Sequence, residues 1–125
     1  MRLDKNLVRE ILLAIEESAG EPVSWINLHI EERLAAEVSY HVMLLEEADL
    51  IEAQDLSNHD KFEWQPIRMT YKGHELLDSI RDVEIWRRTK AGAEKVGIAS
   101  ISFMWELATA YGKQLVSERL GLPIS

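Results

Sequence analysis

The stretch Ser39–Ile51, SYHVMLLEEADLI, constrains the fold more than any other part of the chain. Val38, Val42 and Leu45 recur at i, i+4 and i+7, with His41 and Ala48 on the same side, which predicts an amphipathic helix over residues 35–48. Asp49 ends it where glycine would be the easy left-handed cap, a conformation aspartate tolerates better than most residues. Leu50 and Ile51 open an extended segment, and the polar run LSNHDK supplies a turn. Phe62, Trp64 and Ile67 lie on a returning strand. Pro66 must sit at its edge or at a bulge, because it has no amide to donate. A helix that runs straight into a hairpin leaves few architectures open.

The flanks narrow the choice. Leu7, Ile11, Ala14 and Ile15, widened by Val8 and Leu12, make a helical stripe that Asp4 can cap and Gly20 with Pro22 can stop. The run EPVSWINLHIEER is an extended or short-helical connector, with Trp25, Ile26 and Leu28 expected in the core. Thr70 caps a long helix reaching Gly97, with Leu76, Leu77, Ile80, Val83 and Trp86 as its apolar stripe. Gly73 falls in its first turn, where a glycine costs little. Ser100 or Ser102 caps a last helix to about Leu120, with Gly121 and Pro123 beyond it. Helix, connector, helix, two-stranded hairpin, helix, helix is the order of a winged helix. The expected fold is therefore α+β, a mostly helical winged helix-turn-helix with a two-stranded wing and a C-terminal helical extension. Residues 1–80 would form the winged-helix-like core and 81–125 the extension, in a single compact domain.

At 125 residues the chain is long enough for one real core. It has no cysteine, so disulfide and thiolate-metal frameworks are excluded. Asp4 and Glu10 interrupt the N-terminal apolar run, which reads as an amphipathic helix rather than a signal peptide. No segment approaches the roughly 20 apolar residues needed to cross a bilayer. A cytoplasmic protein is expected.

Two stretches carry a resemblance. SYHVMLLEEADLI is similar to the Ser-x-His-Leu-x-x-Leu-x-x-Ala-Gly-Leu-Val pattern of arsenic-repressor-type regulators, through Ser39, His41, Leu45, Ala48, Leu50 and Ile51. Val42 replaces a leucine of that pattern and Asp49 its glycine. MTYKGHELL resembles the Leu-Thr-x-x-Gly-x-x-Leu stretch leading from a wing into the next helix, through Thr70, Gly73 and Leu76. End to end, the chain resembles the bacterial and phage family catalogued as domain of unknown function 2513. The likeness rests on Leu7–Glu17, Glu37–Ala53 and Met69–Lys90, and most specifically on Tyr40-His41-Val42 and on Gly73 to Asp78. It implies the fold and a prophage connection, and supplies no catalytic residue and no ligand.

Charge bears directly on function. The net charge is −8. No basic residue lies between Ala35 and Lys61, whereas residues 35–55 carry six acids, Glu37, Glu46, Glu47, Asp49, Glu52 and Asp55. In a winged helix the exposed side of this helix enters the major groove and the wing tip meets the backbone. That side offers Glu37, Ser39, Tyr40, Met43 and Glu47, and only Arg33, Lys61 and Arg68 stand nearby as phosphate partners. Phosphate binding depends on basic side chains releasing counterions, so the charge opposes it. The same helix also reads as a protein-contact strip of Tyr40, Met43 and Leu44 edged by Glu37 and Glu47, or as one whose Met43 and Leu44 simply pack under the connector. Arg81, Arg87, Arg88, Lys90 and Lys95, with Trp86 among them, form the only net-positive stretch. It suits a solvated face with local ion pairs to Asp82 and Glu84 better than a nucleic-acid grip or a contact with a second subunit's acidic helix.

His29, His41, His59 and His74 lack the spacing of a histidine metal pair. His74 and Asp78 alone would make a weak zinc site, so no metal or cofactor is expected. No nucleophile elbow, phosphate loop or metalloprotease helix is present, which argues against an enzyme. The last helix is more apolar than one-sided packing requires. Phe103, Met104, Leu107, Tyr111 and Leu115, joined by Trp105, Val116 and Leu120, suggest a homodimer through residues 100–120. Two functions stay open: a non-enzymatic protein-interaction or regulatory module, and a dimeric DNA-binding transcriptional regulator of prophage type with weak, wing-dependent DNA contact.

Overall fold

A computed structural model describes residues 1–18, 20–97 and 100–121. Among them are five helices and one hairpin: α1 (Lys5–Glu17), α2 (Ala35–Glu47), β1 (Ile51–Asp55), β2 (Trp64–Met69), α3 (Tyr71–Ile80), α4 (Val83–Val96) and α5 (Ile101–Leu120). The fold is α+β, with the hairpin between the second and third helices. The chain forms two compact units, Met1–Glu75 and Leu76–Ser125, and the division falls inside α3.

In the first unit α1 and α2 pack on each other and on the hairpin. Leu7, Val8, Ile11, Leu12 and Ile15 of α1 are buried, as are Val38, Val42 and Leu45 of α2 and Leu50, Ile51 and Met69 of the hairpin. Each such aliphatic side chain contributes about 1.5–3 kcal/mol by leaving water. Asp4 caps α1, its carboxylate accepting from the Leu7 amide at 3.1 Å. The strands pair antiparallel, Ile51 with Met69 and Asp55 with Trp64. A register shift between Glu52 and Ala53 pairs them with Arg68 and Pro66, leaving Ile67 as the extra residue of a bulge. Pro66 is thus tolerated beside the bulge, where its missing amide breaks no ladder.

Residues 21–34 take the extended form of the two expected for the connector, which runs along β2, the Ile26 amide donating to the Pro66 carbonyl at 2.7 Å and the Leu28 amide to Gln65 Oε1 at 3.0 Å. Two expectations for this unit need correction. Trp25 stays 42% exposed, since this strand-like path turns only alternate side chains inward. Ala48 is exposed, because the helix has already ended there: Asp49, at φ 61°, is its left-handed cap. The amides of Asp49 and Leu50 donate to the carbonyls of Glu46 and Leu45, the paired closure of a Schellman turn.

The start of α3 is locked to this turn. The Thr70 amide donates to the Leu50 carbonyl at 3.0 Å, its hydroxyl to the Asp49 carbonyl at 2.6 Å, and Lys72 Nζ to the Ala48 carbonyl at 3.2 Å. Thr70 Oγ1 accepts in turn from the Gly73 amide at 3.1 Å. A Cβ on Gly73 would lie 2.0 Å from the Leu50 carbonyl oxygen. Gly73 is therefore required by a close approach of backbone, a stronger reason than the low cost of a glycine in a first turn.

The long helix expected over residues 70–97 is two. Asp82 adopts an extended conformation (φ −65°, ψ 127°) and its carboxylate captures the Ile85 amide at 3.0 Å, starting α4 afresh. The break takes Val83 out of the expected apolar stripe and leaves it 73% exposed. α4 ends at Gly97 in the left-handed conformation (φ 81°) and packs on α5, which Ser100 caps and Gly121 closes. Pro123, expected beyond the last helix, lies outside the described residues.

Candidate interaction face on the second helix

His41 is fully buried, its ring tied to backbone at both ends. Nε2 accepts from the Asp4 amide at 2.8 Å, which requires an unprotonated nitrogen there. Nδ1 therefore carries the proton and donates to the Glu37 carbonyl, also at 2.8 Å. The neutral imidazole bridges the start of α1 to α2. Ser39 is buried as well: its hydroxyl accepts from the Trp64 amide at 3.0 Å and lies 3.3 Å from the Trp64 carbonyl. Ser39 is thus a pin between α2 and β2, not an exposed contact residue. Ser39 lies about 200° around the helix from His41, and it is buried as well because the start of β2 covers that side.

The basic residues expected to meet phosphate are already held by acids. Arg33 Nη1 sits 2.6 Å from Asp4 Oδ2 and 3.4 Å from Glu37 Oε1, and its Nε is 3.7 Å from Glu10. Burial works to raise the Asp4 carboxyl, but the Arg33 hydrogen bond and charge and the Leu7 amide outweigh it and hold it below its ordinary value. The Asp4 hydrogen bond correspondingly raises the Arg33 guanidinium, with Glu10 and Glu37 adding to it. Arg68 makes a two-pronged pair with Glu52 at 2.8 and 3.1 Å and also donates to the Met69 carbonyl. Lys61, exposed at the base of the wing turn, lies 3.4 Å from Glu63. Glu63 is held below its ordinary value first by the Gln65 side-chain amide, with Lys61 assisting.

The remaining outer side of α2 is Ala36, Tyr40, Met43, Leu44 and Glu47. Tyr40, Met43 and Leu44 are half-buried and Ala36 and Glu47 exposed. Tyr40 stands edge-on to His41, ring centroids 6.0 Å apart, so a residue of the open side leans on the buried clasp. Glu47 and Asp49 make no ion pair among the described residues, while one buried oxygen of Glu46, Oε2, has no hydrogen-bond partner there. Beside the start of α2, a cleft of about 360 Å³ opens between connector and wing, lined by Leu28, Ile30, Val38 and Phe62 among others. Phe62 lies just outside β2 and is 43% exposed there, not within the returning strand as expected.

The Asp4–Arg33–Glu37 clasp was missed in the sequence, although the i, i+4 spacing of Arg33 and Glu37 was visible. Most of the basic stretch of residues 81–95 is already engaged: Glu84 holds Arg87 at 2.6 Å and Arg88 at 3.0 Å, and Arg88 also reaches Glu118 of α5 at 3.6 Å. Arg81 pairs with Asp78, and Lys90 lies 5.6 Å from the centre of the Trp86 ring, while Lys95 is exposed. Of the residues expected on a dimer helix, Met104 and Leu115 are buried within the single chain, and the Tyr111 hydroxyl packs against Gly92 of α4. Phe103 and Leu107 are half-buried. Met104 and Leu115 are thus packed inside the chain, while Phe103, Leu107 and Tyr111 keep part of their surface open. No group of three or more His, Asp or Glu placed to hold a metal ion occurs among the described residues, and no helix there is long and apolar enough to cross a membrane.

An α+β protein of five helices and one antiparallel hairpin among the described residues, with an acid-edged helix face, is the class these features define. Residues 2–99 match the family described as hypothetical protein (DUF2513). The chain is also 36% identical over 90 residues to an uncharacterized protein of Haemophilus influenzae, covering 72% of this chain and 76% of that one. No solved structure matches it. The chain belongs to the DUF2513 family.

Proposed function

We propose that this chain is a non-enzymatic protein-interaction or regulatory module of the cytoplasm, whose partner meets the outer side of α2. The observation that carries the reading is the fate of the cations. Arg33, Lys61 and Arg68 each face a carboxylate, whereas Tyr40, Met43 and Leu44 stay partly open beside the unpaired Glu47. Aromatics and methionine favour the centre of an interface and charge its rim. The acidic rim selects a partner with basic residues around an apolar strip.

Titrating the full chain with a lysine- and leucine-based amphipathic helical peptide tests this. Amide signals of residues 36–47 should shift, and Met43→Ser with Glu47→Lys should abolish the response. Shifts confined to other elements, or none, would remove the reading.

The winged-helix order and the exposed wing-turn Lys61 favour a second reading, a dimeric DNA-binding regulator of prophage type. A salt series of duplex-DNA binding separates the two. The interaction reading expects flat, negligible binding at low salt. Binding tighter than about 10⁻⁴ M that falls steeply with salt, and weakens on Lys61→Glu or Arg68→Glu, would establish the DNA reading instead.

A further inference from the structure

The second unit has an apolar groove that takes in Leu115, Val116 and Leu120 of the expected dimer helix but none of Phe103, Met104, Leu107 or Tyr111. It lies between the start of α4 and the end of α5 and encloses about 290 Å³. Ile85, Leu115, Val116 and Leu120 line it, and Gly112 leaves its floor without a side chain. Gly112, Val116 and Leu120 follow i, i+4, i+8, so they form one stripe along α5. Val116 is 45% exposed and Leu120 67%, and Val83, next to Asp82 on the rim, is 73% exposed. Each of these apolar groups sits in water in the isolated chain, a cost that burial against a partner would recover.

The charges on the rim identify the partner. The groove carries one acid, Asp82, and one base, Arg119, facing each other at 3.6 Å. A strongly basic or acidic partner would leave one of the two opposed. A two-fold copy of the same surface would not, because an isologous contact brings Asp82 of each chain toward Arg119 of the other while the stripes of α5 meet. The face is self-complementary in charge and apolar at its centre, with a shallow floor at Gly112 and protruding groups at Val116 and Leu120.

We infer that a second copy of this chain docks in this groove, in an isologous dimer centred on Gly112, Val116 and Leu120 and rimmed by Asp82–Arg119 pairs. The surface is separate from the α2 face and stands or falls apart from it.

Sedimentation equilibrium of the full chain tests it. The wild type should reach twice the 14.4 kDa chain mass at micromolar concentration. Leu120→Glu should weaken association by about thirtyfold or more, the scale of a central interface side chain. Gly112→Leu, which fills the floor, should do the same. Since Leu120 is exposed in the last turn of α5, Leu120→Ser serves as the milder variant, and thermal melting of each variant establishes that the fold is kept. The rim has its own test: Arg119→Asp and Asp82→Arg chains should each be monomeric alone and dimerise when mixed. Asp82→Asn, which keeps a capping side chain, is the fallback if Asp82→Arg unfolds, and it should weaken the dimer. A wild type that stays at the chain mass at 100-fold higher than about micromolar concentration, or a dimer indifferent to Leu120→Glu and Gly112→Leu, would overturn the inference.

Discussion

Helices α2 and α4 are of similar length, 13 and 14 residues, yet they satisfy their polar groups in opposite ways. α4 does so mostly with partners on itself or its own cap, although Arg88 and Asp82 also meet Glu118 and Arg119 of α5 at 3.6 Å each. Asp82 caps its own Ile85 amide, Glu84 holds Arg87 and Arg88, and the Thr89 hydroxyl donates to the Ile85 carbonyl one turn back. α2 is bound to the rest of its unit instead. His41 reaches the Asp4 amide, Ser39 the Trp64 backbone, and the turn at Asp49 and Leu50 receives Thr70. A helix that closes its own charges presents a solvated surface, while one pinned on its inner side can leave its outer side uncommitted. The basic helix is therefore the less suited to grip phosphate, and the acidic one the more suited to meet a partner.

If α2 is held from outside, damage at its attachments must cost far more than damage on α4. Gly73→Ala should be the most severe, because a Cβ there meets carbonyl backbone and not a flexible side chain. A loss of about 3 kcal/mol in urea unfolding is expected from such overpacking. His41→Leu should follow at about 2–3 kcal/mol, since it strands the Asp4 amide and the Glu37 carbonyl without partners. A loss below about 1 kcal/mol would mean that the imidazole does not hold α2.

Acid should expose the same attachment. The folded Asp4 carboxyl lies below its ordinary 3.8, so its contribution is complete above that pH and is lost as pH falls through the folded value. Asp4→Asn, which can still cap α1, should flatten the fall in stability below pH 4 and cost under about 1 kcal/mol at neutral pH. Asp49→Gly should act the other way and gain about 0.5–1 kcal/mol, since Asp49 holds a positive φ that glycine adopts without strain. On α4, Arg87→Ala should change unfolding by no more than about 0.5 kcal/mol. An effect there as large as that of His41→Leu would erase the contrast.

The sequence announced what depends on periodicity and on local chemistry. Val38, Val42 and Leu45 marked the buried side of α2, and Asp49 its end. Pro66 announced an irregular strand, and the structure supplies the bulge. What escaped depends on partners distant in the chain or on one side chain's choice. Asp82 reads as one more charge on a helix until it is seen to take the Ile85 amide. Ser39 has the look of a surface residue until Trp64 arrives 25 positions later to cover it. Arg33 counts as a cation in any tally, and only the fold brings Asp4 and Glu10 to it. The candidate face was therefore legible in outline, through Tyr40, Met43 and Glu47, but not in its charge balance.

The close approach at Gly73 also bears on how the chain folds. The first turn of α3 takes its anchors from Ala48, Asp49 and Leu50, some twenty residues earlier, and its own glycine amide is held by Thr70. That short span of chain contains the whole hairpin. The hairpin must be closed before Thr70 can reach the Leu50 carbonyl, and once it is, α3 has its nucleus ready. Wing closure and the start of the third helix thus become one cooperative event, and amide exchange at Gly73 and His74 should be as slow as at Ile51 and Met69.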